Sequence, residues 1–155
     1  MLKNCYRWFG ISAFIVAVDL YTKHLIQNAF IYGERLTVTS FFELVRFHNE
    51  GAAFSFLAGA GGWQKWFFTG ISIVAIVVIT YLIIKHATQK LFCLGLALVL
   101  GGAIGNLYDR VTLGYVVDFL YFHINDLYWP AFNVADSAIC VGVVLLLWDS
   151  FKQPA

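Results

Sequence analysis

The sequence predicts a membrane all-α fold with a small β element: four transmembrane helices, termini on the cytoplasmic side, and two structured extracytoplasmic loops, the first of them β-rich. Three observations carry this. Of 155 residues, 61% are hydrophobic and 12% charged, against about 25% charged in an ordinary soluble domain. So little charge does not coat a small globule, whose surface is large for its volume. Four stretches meet or approach the roughly 20 apolar residues that a helix needs to cross a hydrocarbon core. And the ionisable residues within or beside those stretches gather toward one end. The same composition excludes intrinsic disorder. A net charge of +1 offers no basic field for nucleic acid. The length suits a single integral membrane domain, residues 1–155.

The first helix is expected at about residues 8–28, apolar except for Asp19, Lys23 and His24. Lys3 and Arg7 precede it as they would a secretory signal, but Asp19 and Lys23 stand where a small-residue cleavage site belongs. A retained helix follows. In the first outer loop, residues 29–65, Leu36/Val38 and Phe42/Leu44 alternate with Thr37, Thr39 and Glu43, which predicts strand within residues 35–48. Gly59-Ala-Gly-Gly62 further along reads as a flexible gate. The second helix, about 66–84, carries no charge between Lys65 and Lys85. The third, about 91–107, contains Gly101 and Gly105, a small-xxx-small pair that lets a neighbouring helix approach. The second outer loop, 108–132, holds Asp118 between valines and Phe119, with Tyr115, Tyr121, Phe122, Tyr128 and Trp129. Tyr and Trp favour the membrane–water boundary, so both loops are expected to form a platform on the outer bilayer surface. The fourth helix, about 133–148, opens with Asn133 and Asp136.

Lys3, Arg7, Lys85, Lys90 and Lys152 crowd the short segments on one side. Arg35, Arg46, Lys65 and Arg110 are spread over the much longer loops on the other, and this asymmetry places the termini inside. Cys5, Cys93 and Cys140 are scattered, without metal-ligand spacing, and read as small apolar residues.

Ionisable groups in a spanning helix are costly and point to function. Asp19, Lys23, Asn106, Asp109, Arg110, Asp118, Asn133 and Asp136 all fall at one depth, near the outer boundary. Asp19 and Lys23, four residues apart, share a helix face and read foremost as a packing ion pair. Asn106 and Arg110 share a face likewise. Arg110 reads equally as a residue snorkelling to headgroups, and Asp109 as a helix-end charge. Asn133 suits an N-cap, with Asp136 as an acid in the first turn. Asp118, in an apolar run, is expected to have a raised pKa. Two such carboxylates brought together share one proton: the ionised one accepts a proton from water while the other polarises a carbonyl. That is peptide hydrolysis without metal or covalent intermediate. The four histidines show no zinc-protease pattern, and no nucleophile elbow or phosphate loop is present. The alternative reading is a small four-helix proton-coupled transporter with Asp19 as its binding carboxylate.

Five pieces in order carry a resemblance: Asp19-Leu-Tyr-Thr-Lys23, Asn49-Glu-Gly-Ala-Ala-Phe54, Gly101-Gly-Ala-Ile-Gly-Asn-Leu-Tyr-Asp-Arg110, Gly114-Tyr-Val-Val-Asp-Phe119 and Phe132-Asn-Val-Ala-Asp-Ser-Ala-Ile139. The chain resembles the signal peptidase II family, bacterial membrane aspartyl proteases that cut the signal peptide from a prolipoprotein just before a diacylglyceryl-bearing cysteine. The resemblance implies Asp118 and Asp136 as catalytic dyad, with Asn49, Asn106, Arg110 and Asn133 lining the substrate and inhibitor site. It implies Asp19, Lys23, Gly51, Gly105, Asp109 and Ala135 as its support. It further implies no cofactor and no metal, a location in the bacterial cytoplasmic (inner) membrane with the site outward, membrane lipid as surroundings, and globomycin-type cyclic peptides as inhibitors.

Overall fold

A computed structural model describes residues 5–51 and 63–152. Four long helices, α1 (Tyr6–Ala29), α2 (Trp63–Lys85), α3 (Lys90–Thr112) and α4 (Val134–Lys152), carry four strands at one end: β1 (Arg35–Thr39), β2 (Phe42–Asn49), β3 (Val116–Ile124) and β4 (Leu127–Tyr128). All four helices are long and apolar enough to cross a membrane. Their successive directions alternate, so the start of α1 and the end of α4 lie at the end of the bundle away from the sheet. There Trp8 Nε1 donates to the carbonyl of Ala87 in the α2–α3 turn at 3.0 Å.

α3 is the central helix and packs against the other three. Half of its apolar window is buried (50%), against 22% for α1 and 17% each for α2 and α4. Glycine makes this possible. A Cβ on Gly101 would lie 2.8 Å from the Ser12 carbonyl of α1, and one on Gly142 would lie 2.6 Å from the Gly95 carbonyl across the α3–α4 contact. Trp8, Ile79, Ile83, Cys93, Leu96, Ala97 and Leu100 form the apolar core of this half. Cys5 and Cys93 are buried, and Cys140 is exposed on α4.

The sheet runs β1-β2-β3-β4, antiparallel throughout. The strand signal at 35–48 resolves into a hairpin, turning at Ser40 and Phe41. The second outer loop adds β3, at nine residues the longest strand, and the short β4. Val116-Val-Asp-Phe-Leu does not alternate because four of its first residues are buried, and a strand covered on both faces reads as a continuous apolar run. α3 also runs to Thr112, past the expected end at 107. The glycine gate, residues 59–62, lies outside the described residues.

Arg46 ties the sheet to the bundle. β2 is irregular between Leu44 and Phe47, and the Arg46 guanidinium donates through Nη1 to the carbonyls of Gln27 (3.0 Å) and Phe30 (2.8 Å) at the end of α1. These are the acceptors that a helix C-terminus leaves unsatisfied. Ile26, Val117 and Phe119 close a second apolar cluster beneath the tie. Arg46→Ala is expected to destabilise the protein by about 1–3 kcal/mol, the scale for charge-assisted bonds to partly buried carbonyls. Thermal unfolding in detergent measures it.

Candidate active site

Asp118 lies on β3, opposite Phe47 of β2, and is 4% exposed. Asp136 lies in the first turn of α4 and is half-buried. Asn133 precedes that turn and joins the two. Its Oδ1 accepts the Asp136 N–H at 2.9 Å while Asp136 Oδ2 accepts the Asn133 N–H at 3.2 Å, the reciprocal arrangement of a capping box. With Oδ1 so occupied, the Asn133 amide nitrogen points outward and donates to Asp118 Oδ1 at 2.8 Å. One residue thus starts the helix and bonds both carboxylates.

The other two asparagines follow the same logic. Asn49 Oδ1 accepts the Gly51 N–H at 2.9 Å, an Asx-type turn, which aims its Nδ2 at Asp118 Oδ2, 3.0 Å away. Gly51 has φ 107°, a backbone conformation that residues with a Cβ avoid. Asn106 Oδ1 accepts from Lys23 Nζ at 3.0 Å, and its Nδ2 donates to Asp136 Oδ1 at 2.7 Å. In each case the amide oxygen is held by a group that can only donate, so the NH2 faces a carboxylate. The arrangement sets three neutral donors around two acids.

The Asp118 carboxyl is pushed up to about 7, first by burial and then by the nearby Asp136 charge, against the bonds from Asn49 and Asn133. Below that pH Asp118 keeps its proton and serves as an acid beside the Asp136 charge; above it Asp118 ionises and that acid is lost.

Asp19 and Lys23 are 0% and 2% exposed, with Lys23 Nζ 2.7 Å from Asp19 Oδ2 and 3.0 Å from Asp109 Oδ2. Asp19 Oδ1 accepts the Ala135 N–H at 2.8 Å. Both oxygens of Asp19 are therefore committed to packing partners, as the ion-pair reading expects and as a transport carboxylate would not be. Gly105 admits this carboxylate, since a Cβ there would stand 2.5 Å from Asp19 Oδ2. Arg110 stands apart. Its Nη1 reaches only the Asn106 carbonyl, at 3.4 Å, its guanidinium lies 5.6 Å from the Phe68 ring centroid, and Nε is buried without a hydrogen bond. It is within electrostatic reach of Asp136 and Asp118.

Sequence reasoning passed over Arg46 and His48. His48 is stacked on Tyr115 at 3.7 Å between centroids, with Tyr32 at 4.5 Å on the ring, and flanks Asn49. Burial and then Arg46 hold its pKa below the usual range, so at neutral pH it packs as an uncharged ring. A charged residue and a histidine inside a strand were the available signals.

The chain is similar to known proteins along most of its length. A family model described as signal peptidase (SPase) II matches residues 11–152. Two relatives named lipoprotein signal peptidase align over 146 residues. The protein from Janthinobacterium sp. (strain Marseille) is 56% identical, covering 94% of this chain and 88% of its own. That from Ralstonia nicotianae (strain ATCC BAA-1114 / GMI1000) is 53% identical, covering 94% and 84%. Two bacterial membrane enzyme structures, obtained by the in meso method at 2.3 and 1.9 Å, are also similar. Their TM-scores are 0.84 and 0.83 at 32% identity, covering 94% and 96% of this chain and 88% and 94% of theirs. With the family model spanning nearly the whole of a four-helix membrane protein, and relatives above half identity over the same span, the chain belongs to the signal peptidase II family.

Proposed function

We propose that this multi-pass membrane protein removes signal peptides from diacylglyceryl-modified prolipoproteins, cutting before the lipidated cysteine by water attack through the Asp118/Asp136 dyad. The observation that supports it most is the pair of carboxylates bridged by Asn133 and set where the helices meet the sheet. The ionised member takes a proton from the attacking water as the oxygen bonds to the scissile carbonyl carbon. The protonated member gives its proton to the carbonyl oxygen, so the tetrahedral intermediate forms without a full oxyanion. Collapse breaks the C–N bond: the amine leaves with the dyad's proton, a hydroxyl of the intermediate returns its own proton to the other carboxylate as the new carbonyl forms, and one shared proton remains. Asn49, Asn106 and Asn133 keep the carboxylates in place, and Arg110, with unspent donors, serves the substrate backbone. Asp19, Lys23, Gly51, Gly105, Asp109 and Ala135 support them.

A substrate whose acyl chains stay in the bilayer presents its scissile bond at the boundary, the depth at which the two aspartates sit. The exposed aromatic rim of the sheet, including Phe41, Tyr128 and Trp129, suits contact with lipid headgroups and with an extended peptide. Arg7, Lys85, Lys90 and Lys152 lie at the opposite end of the bundle. The basic-inside bias then puts the site on the extracytoplasmic side of the inner membrane, and a globomycin-type cyclic peptide in the same cleft.

The purified protein in detergent is expected to cleave a diacylglyceryl-modified prolipoprotein, to cleave the unmodified precursor far more slowly, and to keep its activity in chelator. Inability to cleave the modified precursor overturns the proposal, and loss of activity in chelator overturns the metal-free dyad. Activity is also expected to fall on the alkaline side, with an apparent pKa near 7 for kcat/KM, because Asp118 then loses the shared proton. A pH–rate profile of the free enzyme checks this.

A further inference from the structure

A second group of charged and aromatic side chains lies on the sheet. Arg35 opens β1, which is exposed along its whole length. Its guanidinium carbon stands 5.2 Å from the ring centroids of both Phe47 and Tyr121, and these two rings meet edge to face at 5.5 Å. Tyr128 continues the row, stacked on Tyr121 at 5.1 Å and on His123 at 4.8 Å. One carboxylate lies in the row: Glu43 Oε2 is 3.7 Å from Arg35 Nη1, and Oε1 is 3.9 Å from His123 Nε2.

An arginine that served only to brace the sheet would bond its acid. Here 3.7 Å is too long for a hydrogen bond, and Glu43 Oε2 is buried without one. The Arg35 side chain is half exposed while that of Glu43 is largely buried, so the cation is the member of the pair that meets solvent. A guanidinium has five donors in a fixed fork that matches a carboxylate, and the two rings hold that fork in place. Arg46, on the neighbouring strand, is committed to the carbonyls that end α1.

The row also lies on a path from the dyad. Phe47 is the residue opposite Asp118, and Tyr121 is further along the same strand. That strand begins buried and ends exposed, so it runs from the dyad toward water. At about 3.3 Å per residue, Tyr121 stands roughly 10 Å beyond Asp118. A precursor cut at the dyad leaves the site in two directions. Its apolar signal segment stays in the bilayer, so the chain that crosses the sheet is the mature segment that begins at the lipidated cysteine. The second to fourth residues of that segment pass Phe47, Tyr121 and Arg35.

From this placement we infer that Arg35 is a specificity-determining residue: it reads the charge of the residues that follow the lipidated cysteine and favours an acidic side chain there over a basic one. The inference rests on the cleavage reading above and adds a preference within that substrate class. Discrimination comes from attraction on one side and repulsion on the other, and it acts at a solvent-facing site, so it is a matter of several-fold and weakens in salt.

The test uses diacylglyceryl-modified precursors that differ only in carrying Asp, Ser or Lys at the second, third or fourth residue of the mature segment, counting the cysteine as the first. Wild type, Arg35→Gln and Arg35→Glu are compared by kcat/KM in uncharged detergent, with and without added anionic phospholipid, and thermal unfolding is followed in parallel. Wild type is expected to prefer Asp over Lys by about 5-fold at one of these positions, the scale for one exposed charge pair. Arg35→Gln should bring that ratio to within about 2-fold of unity, and Arg35→Glu should reverse it. In about 0.5 M salt the wild-type ratio should shrink.

A structural role for Arg35 would lower cleavage of every precursor alike and leave the ratios where they were, and that result overturns the inference. So does a wild-type ratio within about 2-fold of unity at all three positions. A loss in the variants that is equal for all precursors and appears only with anionic phospholipid also overturns it, since Arg35 then serves a lipid headgroup. If wild type cleaves none of the modified precursors, the cleavage reading itself fails and the inference with it. Cleavage of all of them without charge preference leaves that reading standing and removes only the role of Arg35.

Discussion

Asp118→Asn and Asp136→Asn are each expected to lose at least about three orders of magnitude in kcat, roughly 4 kcal/mol of transition-state stabilisation. An asparagine is the size of an aspartate but neither accepts a proton from water nor donates one to a carbonyl, so either substitution leaves half a proton shuttle. Both positions are held by amide donors, Asn49 and Asn133 on one and Asn106 on the other. An asparagine keeps one acceptor oxygen for these donors but sets its NH2 against the other, so part of the stability is expected to be lost, and binding of a cyclic peptide inhibitor to survive in part. The cleavage assay, paired with inhibitor binding, separates loss of chemistry from loss of fold. Near-normal cleavage by either variant contradicts the dyad.

Asp118 also carries a stability signature with a definite sign. Its folded pKa of about 7 stands above the ordinary 3.8, so between those values the folded protein holds a proton that the unfolded chain releases. Stability then falls as pH rises from about 4 to about 7 and levels off above, by up to about 4 kcal/mol at about 1.4 kcal/mol per unit. Asp118→Asn is expected to abolish that slope. Unfolding temperatures across this range in detergent measure it, and an unchanged slope shows that the carboxyl is not raised.

Gly102→Ala carries the second large effect. A Cβ at Gly102 overlaps the Ala135 carbonyl oxygen and lies 2.7 Å from Ile139 Cγ1. The first obstacle is backbone, so α4 has to shift, and overpacking of this kind costs about 1–3 kcal/mol. Asp136 rides on the displaced turn, so cleavage is expected to fall at least about 10-fold even in the folded fraction. Gly105→Ala meets Asp19 Oδ2 instead and is expected to disturb the Asp19–Lys23 pair, with a smaller loss of stability than of activity. Gly10 and Gly70 have nothing within 4 Å of a built Cβ. Their alanine variants are expected within about 1 kcal/mol of wild type. Unfolding temperature and kcat for the four variants together test the close approach.

How far the sequence could be read follows from the kind of signal each feature leaves. The helices were legible because hydrocarbon demands long apolar runs with internally bonded backbone. Asp118, Asp136 and Asn133 stood out because a polar group at such depth is expensive. β3 was less legible: buried on both faces at Val116–Phe119, it leaves no alternation, and only the pairing with β2 reveals it. The irregularity that frees Arg46 to bind the end of α1 has no local sequence mark at all, since it depends on two strands differing in register.

The sequence by itself determined the compartment, the number of spans and the set of polar residues near one boundary, because each is a matter of transfer between water and lipid, additive along the chain. The tertiary structure alone decided which amide faces which carboxylate. That choice depends on what occupies the opposite atom of each asparagine: the Gly51 N–H, the Asp136 N–H and the Lys23 ammonium. These donors come from a turn, a helix start and a different helix, and only folding brings them to the same few ångströms.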